Sequence, residues 1–91
     1  MSKVIIRKPS KEELEKLGID SWGIWEKEPS TFDWEYDFTE TFYVFEGKAT
    51  VKLENGEEVS FSAGDLVTFP KGIKCTWTVH ERIKKAYTFG E

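Results

Sequence analysis

The fold is decided by the stretch at residues 48–61, KATVKLENGEEVSF. From Ala49 to Leu53, apolar and polar residues alternate, which is the period-two pattern of a half-buried β-strand. Asn55-Gly56 follows, the dipeptide typical of a type I′ hairpin turn in which both central residues need positive φ. The alternation then resumes up to Phe61. This stretch therefore predicts a β-hairpin.

Segments of the same kind occupy most of the remaining chain. One short helix is predicted near the N-terminus, because Ser10 and Glu13 form a capping box and Gly18 is a typical C-cap. Eight or so short strands with one short helix predict an all-β fold, either a sandwich or a small barrel. Besides the hairpin, strands are predicted at residues 3–7, 24–28, 31–37, 40–46, 66–69, 73–79 and 84–89.

Length and composition limit the classes of protein to consider. Ninety-one residues fit a single domain, 1–91. The net charge is −4 and no basic stripe with interleaved aromatics is present, so nucleic-acid binding is not expected. Cys75 is the single cysteine, which excludes a disulfide framework and a CxxC zinc site. Without a signal-peptide pattern or an apolar run of about 20 residues, we predict no membrane association and a cytoplasmic location.

Two blocks rich in turn residues carry the candidate chemistry. In the first, Glu40 and Gly47 are separated by six residues, within the segment FDWEYDFTETFYVFEG. In the second, Gly64, Pro70 and Gly72 punctuate the segment GDLVTFPKGIKCTW. Together the blocks resemble the two motifs of the cupin superfamily, in the same order. The resemblance implies a single cupin domain, a double-stranded β-helix or jelly-roll barrel.

The histidines of the cupin motifs are missing. Typical cupins carry His-x-His three or four residues before the glutamate. With three intervening residues these positions hold Trp34 and Tyr36, and with four they hold Asp33 and Glu35. The third histidine position, which follows the Pro-x-Gly turn after two intervening residues, holds Cys75.

We therefore predict no conventional metal site and no cofactor. The single histidine, His80, is expected on the opposite face of its strand from Cys75. Without imidazoles, the remaining donors suit most transition metals poorly. A zinc or adventitious ion held by Glu40, Tyr36 and Cys75 is the alternative.

More closely, the chain resembles small single-domain cupins related to (S)-ureidoglycine aminohydrolase. The residues that carry this resemblance are Trp25-Glu26, Glu28-Pro29-Ser30, Phe32, the Trp34-x-Tyr36 pair, ETFYVFEG, DLVTFPKG, Cys75 and Trp77. The aminohydrolases are two-cupin chains that bind manganese through histidine-containing sites. Their activity does not follow for a single cupin without those histidines.

The candidate pocket centres on Glu40, which we predict to point into the barrel as a general acid/base or a ligand anchor. The hydroxyl of Tyr36 is expected to hydrogen-bond to it. Trp34, Tyr36 and Trp77 form either an aromatic cage for a flat or cationic ligand, or ordinary barrel filling. The basic run Arg82, Lys84, Lys85 is expected to face solvent. The predicted ligand-binding set is Trp34, Tyr36, Glu40, Phe42, Cys75 and Trp77, with Glu40 as the catalytic candidate.

Three functions remain open at this point. The first is a metal-free binding protein for an unidentified small molecule. The second is a C–N hydrolase of the ureidoglycine-aminohydrolase kind, with Glu40 moving the proton. The third is a non-catalytic structural or regulatory subunit that forms a homodimer through Phe32, Tyr43 and Phe45, on the face expected to lie away from the pocket.

Overall fold

The computed structural model describes residues 4–90, and they form seven strands and one short helix. The predicted all-β fold is confirmed. A short 3₁₀ helix, Ile19–Ser21, follows the α-helix. The elements are β1 (Ile5–Arg7), α1 (Lys11–Leu17), β2 (Gly23–Lys27), β3 (Ser30–Glu35), β4 (Glu40–Leu53), β5 (Glu58–Ser62), β6 (Leu66–Phe69) and β7 (Lys74–Phe89).

Two long strands, β4 and β7, pair antiparallel along their lengths and organise the barrel. The first half of β4 also pairs with β6, and its second half pairs with β5. In the same way, the first half of β7 pairs with β3 and its second half with β2. All pairings are antiparallel, and β1 is added at the edge of β6. The chain therefore folds as two sheets that share two continuous strands, as a jelly-roll barrel requires.

The long strands replace four of the shorter strands that were predicted. Residues 40–46 and 48–53 are one strand, interrupted by shifts in register between Val44 and Ala49. This β-bulge changes the phase of β4: even-numbered residues from Glu40 to Val44 point inward, and odd-numbered residues do so from Ala49 to Leu53. The segments predicted at residues 73–79 and 84–89 are likewise joined in β7.

The helix has the predicted caps. The Ser10 hydroxyl accepts a hydrogen bond from the backbone N–H of Glu13 at 3.1 Å, and Gly18 adopts the left-handed conformation at φ 68°. The first turn contains two acidic residues and the last turn a lysine, as the helix dipole favours. Local sequence signals were sufficient to place both ends of this helix.

The hairpin between β4 and β5 is confirmed, but the predicted type I′ turn is wrong. Among residues 4–90, positive φ is confined to glycines, so Asn55 does not adopt it. The N–H of Gly56 instead bonds to the carbonyl of Leu53 at 2.9 Å. Glu54 and Asn55 are therefore the central residues, and Gly56 supplies the positive φ immediately after them. The Asn55 side chain closes the turn by accepting from the N–H of Glu57.

The core consists of apolar side chains from the inner faces of both sheets. Four aromatic side chains stack at its centre, with ring centroids 5.2–6.4 Å apart. They are Phe42, Phe61, Phe69 and Trp77, all essentially buried. Within residues 4–90, no helix has the length and apolar character needed to span a membrane.

Candidate functional site

A cavity of about 170 Å³ lies beside the aromatic core. Seven of its nine lining residues are aromatic, and the other two are Glu40 and Lys85. Such an apolar chamber with a few polar groups has the composition of a small-molecule site. The aromatic members are Trp25, Phe32, Trp34, Tyr36, Trp77, Tyr87 and Phe89.

The polar centre of the cavity is an ion pair between Glu40 and Lys85. The Nζ of Lys85 donates to Oε2 of Glu40 at 2.8 Å, and each residue is only 5% exposed. Glu40 thus points inward, as predicted. The basic run was misinterpreted at Lys85, which is buried and does not face solvent.

The register of the long strands brings these two side chains together. Glu40 is paired with Phe89, and Lys85 with Val44, so one inward-facing residue of β4, Phe42, lies between the two positions. The lysine side chain extends across this gap over the ring of Phe42. A shorter cation on β7 would not reach the carboxylate from this position.

The ammonium group of Lys85 is surrounded by aromatic rings. Its Nζ lies 3.9 Å from the ring centroid of Phe42 and 4.9 Å from those of Trp25 and Trp77. Cation–π attraction at these distances partly replaces the lost hydration of the ammonium. An aromatic cage was one of the two predicted roles of Trp77. In the structure, Trp77 contributes to a cage that holds a cation of the protein itself.

Burial lowers the pKa of Lys85, and the charge and hydrogen bond of Glu40 partly offset that effect. Burial also raises the pKa of Tyr36 well above its ordinary value, and the charge of Glu40 adds to the increase. Tyr36 therefore remains a hydroxyl at any physiological pH. Burial is the largest cause of both pKa shifts, so the chamber is an apolar environment that disfavours any additional charge.

The predicted hydrogen bond from Tyr36 to Glu40 is not formed. The indole Nε1–H of Trp77 donates to the Tyr36 hydroxyl at 3.2 Å, and Glu40 is occupied by Lys85. The ring of Tyr36 stacks on Phe69 with centroids 4.7 Å apart. Among residues 4–90, the Tyr36 proton has no recorded acceptor, so it is available to a molecule in the cavity.

The structure brings four of the six predicted site residues to the cavity wall: Trp34, Tyr36, Glu40 and Trp77. Trp34 is 50% exposed and stands at the opening. Phe42 lies fully buried behind Lys85 and lines no part of the wall.

Cys75 faces a separate polar groove between β3 and the end of β4. Its thiol donates to the backbone carbonyl of Trp34 at 3.5 Å. The cysteine thus lies beside the cavity without opening into it.

Five further wall residues were not in the predicted set: Trp25, Phe32, Lys85, Tyr87 and Phe89. The sequence predicts Phe32 on the face away from the pocket, and that placement is wrong. Because β3 pairs Phe32 with Trp77, the two rings stack at 5.9 Å and both face the cavity. The signal was present in the sequence, since Phe32 has the same strand phase as Trp34 and Tyr36.

The donor set does not fit the metal centre of histidine-containing cupins. The three histidine positions hold Trp34, Tyr36 and Cys75, and the cysteine faces another groove. Across residues 4–90, no three His, Cys, Asp or Glu side chains cluster as metal ligands would. His80 is exposed, on the predicted face of β7, and hydrogen-bonds to Thr50.

Cys75 is expected to react slowly with alkylating reagents in the native protein. Burial, followed by the charge of Asp33, raises the pKa of Cys75 to about 11. At pH 8 the reactive thiolate should then be on the order of a hundredfold scarcer than in an exposed cysteine. Iodoacetamide labelling followed by mass spectrometry measures this directly, because the chain has one cysteine. The control is the same protein in denaturant, and equal labelling rates in the two states would contradict the expectation.

The chain matches the EutQ-like cupin domain over residues 14–87. It is 34% identical over 76 residues to acetate kinase EutQ of Clostridioides difficile (strain 630), covering 84% of this chain and 46% of that protein. The match therefore covers less than half the length of that curated relative.

Solved structures show the same relationship. A DUF861 family protein from Thermotoga maritima is 49% identical and superposes with a TM-score of 0.95, covering 97% of this chain and 100% of its own. The Clostridium difficile EutQ protein superposes with a TM-score of 0.69 at 29% identity, over 94% of this chain and 66% of its own. The cupin fold is thus confirmed, and the narrower relation to ureidoglycine aminohydrolase stays a prediction. This chain belongs to the family of EutQ-like cupin domains.

Proposed function

We propose that this chain is a binding domain for a small, flat, uncharged molecule, held in the cavity beside Glu40 and Lys85. One observation carries the proposal: an aromatic chamber in which a single ion pair supplies the buried charges. A chamber lined by aromatic side chains is suited to a planar apolar body.

The charge of the cavity favours a neutral ligand. Glu40 and Lys85 neutralise each other at 2.8 Å, so an anion or cation entering the chamber would find no opposite charge left unpaired. A charged ligand would also lose its hydration in an apolar space, which costs several kcal/mol or more. A neutral molecule avoids both costs.

Size and hydrogen bonding narrow the ligand further. An apolar cavity of roughly 150 Å³ accommodates benzene, and this one measures about 170 Å³. Tyr36 lines the wall, and its hydroxyl proton has no acceptor within residues 4–90, so it can donate to a carbonyl or amide oxygen of a ligand. The ligand class that fits is a single planar ring, or an apolar chain of similar size, with one polar group.

We expect benzamide to bind in the cavity and to bind more tightly than benzoate or benzylammonium, which have the same ring but carry a charge. Binding is measured by two-dimensional NMR, with the indole N–H signal of Trp77 as the reporter. Trp34→Ala should weaken benzamide binding roughly threefold to tenfold, because one ring contact at the opening is lost. Trp34 is half exposed, so the variant should fold.

Phe45→Ala is the matched control, because Phe45 is an exposed aromatic side chain that does not line the cavity. It should leave benzamide affinity unchanged. The proposal is refuted if the charged analogues bind as well as benzamide, or if the two variants behave alike.

Two other proposals compete with a binding role. A ureidoglycine-aminohydrolase-like C–N hydrolase would use Glu40 to move a proton, and Glu40→Gln would abolish turnover of ureido substrates.

A dimeric structural subunit would use the outer face, where Tyr43 and Phe45 contact each other at 5.4 Å. If sedimentation shows that the protein is strictly monomeric, the proposal of a dimeric subunit loses its support. Kinase activity is named for the C. difficile protein, and the match to this chain covers 46% of that protein.

A further inference from the structure

We propose that Lys85 forms an imine with a small aldehyde or ketone that enters the cavity, with Glu40 as the group that moves the proton. The inference rests on the proposed function, because it requires the cavity to admit a small molecule. It goes further by assigning a reactive amine and by naming the ligand class as carbonyl compounds.

The position of the amine supports this chemistry. Lys85 lines the cavity although only 5% of the residue is exposed, and its Nζ lies 2.8 Å from Oε2 of Glu40, another lining residue. A carbonyl carbon inside the chamber would therefore meet this amine at short range, in an apolar space. Neutral amine is the nucleophilic form, and burial favours it by lowering the pKa of Lys85.

The Glu40 carboxylate is positioned to accept a proton from Lys85. Glu40 Oε2 is 2.8 Å from Nζ, within direct proton-transfer distance. Transfer from the ammonium to Glu40 leaves a neutral amine and a neutral acid. No solvent access is needed for this step, because both groups are buried together.

The reaction balances without any oxidant or reductant. The nitrogen lone pair attacks the carbonyl carbon, and a proton moves from nitrogen to oxygen to give a carbinolamine. Glu40 then returns its proton to the hydroxyl group, the C–O bond breaks, and water leaves. The products are a protonated imine on Lys85, the Glu40 carboxylate and one molecule of water.

The charge distribution is the same before and after the reaction. The ammonium paired with Glu40 becomes an iminium cation paired with Glu40. It remains in the cage formed by Phe42, Trp25 and Trp77, whose centroids lie 3.9–4.9 Å from Nζ in the free protein. Since the site already stabilises a cation at this point, the product adds no unpaired buried charge.

The test uses benzaldehyde with cyanoborohydride, which reduces an imine to a stable benzylamine. Tryptic mapping of the full-length protein locates the benzyl group. We expect Lys85 to carry at least tenfold more label than Lys84, its less buried neighbour. Glu40→Gln should slow the labelling of Lys85 by tenfold or more without changing the labelling of surface lysines. Mapping on the unaltered protein does not depend on any variant being able to fold.

The outcomes separate this inference from the proposed function. If benzamide binds but benzyl groups are spread evenly over the lysines, the imine is refuted and the binding role stands. If benzamide does not bind and Lys85 is not labelled, both are refuted. Labelling of Lys85 with no benzamide binding would support the imine and refute the preference for neutral, unreactive ligands. Lys84→Gln is the matched control, and it should leave the labelling of Lys85 unchanged.

Discussion

Replacing Lys85 by methionine is expected to destabilise the domain by about 3–5 kcal/mol. The change removes the one polar side-chain partner that residues 4–90 offer to the Glu40 carboxylate, which is 5% exposed, and leaves its charge in an apolar chamber. Glu40→Met should cost a similar amount, because the ammonium of Lys85 loses its counterion. For a domain of this size, the loss is a large fraction of the total free energy of unfolding. Urea denaturation of the two variants measures both values.

The double variant Glu40→Met/Lys85→Met is the control that isolates the pairing. With both charges gone and two apolar side chains of similar length in place, it should be more stable than either single variant. Additive losses in the double variant would contradict the interpretation, because they would mean that the two side chains contribute independently.

The stability of Glu40→Met should depend on pH through Lys85. In this variant the contribution that raises the pKa of Lys85 is lost, so burial lowers this pKa further. Between the lowered pKa and the ordinary lysine value of about 10.4, the folded state binds fewer protons than the unfolded state, so stability rises as the pH increases through that window. Urea denaturation of the variant at several pH values measures this dependence, and a stability that falls with increasing pH would contradict it.

Gly47→Ala is expected to destabilise the domain by roughly 2–5 kcal/mol, from strain and overpacking together. Gly47 lies in the bulge of β4 with φ 99°. An added Cβ would be 2.2 Å from the carbonyl oxygen of Arg82 and 2.6 Å from Cα of Ile83. Both are backbone atoms of the neighbouring strand, so relief requires the β4–β7 ladder to separate.

Gly56→Ala is the matched control, since Gly56 has a similar φ of 91° but nothing within 4 Å of an added Cβ. It isolates the cost of the left-handed conformation, about 1–2 kcal/mol. Thermal denaturation of both variants compares them. Equal losses would show that contact with β7 contributes nothing.

The sequence predicted the strands because they depend on local alternation. The cupin fold and the inward position of Glu40 were implied by the resemblance to the cupin motifs. The bulge was beyond such reasoning, because a register shift in β4 depends on the strand opposite. Residues on either side of Gly47 therefore seemed to belong to separate strands.

Lys85 could have been found but was not. In β7 the odd positions Cys75, Trp77 and Val79 face inward, and after the exposed residues 80–82 the same phase resumes at Ile83 and Lys85. The charges of Arg82, Lys84 and Lys85 indicated a solvent-facing segment, and this interpretation outweighed the strand phase because buried lysines are rare. Its partner could not be inferred, since the register of β4 against β7 is a tertiary property.

The continuity of β4 and β7 has a consequence for motion within the domain. Each of these two strands belongs to both sheets. One sheet therefore cannot separate from the barrel without breaking strand pairing in the other sheet. The jelly roll should therefore unfold as a single cooperative unit, with only β1 and the helix free to fray independently. The cavity is formed by inward side chains of these two strands, together with β2, β3 and Tyr36. A ligand bound in the cavity would therefore slow the hydrogen exchange of backbone amides throughout both sheets, including amides far from the ligand.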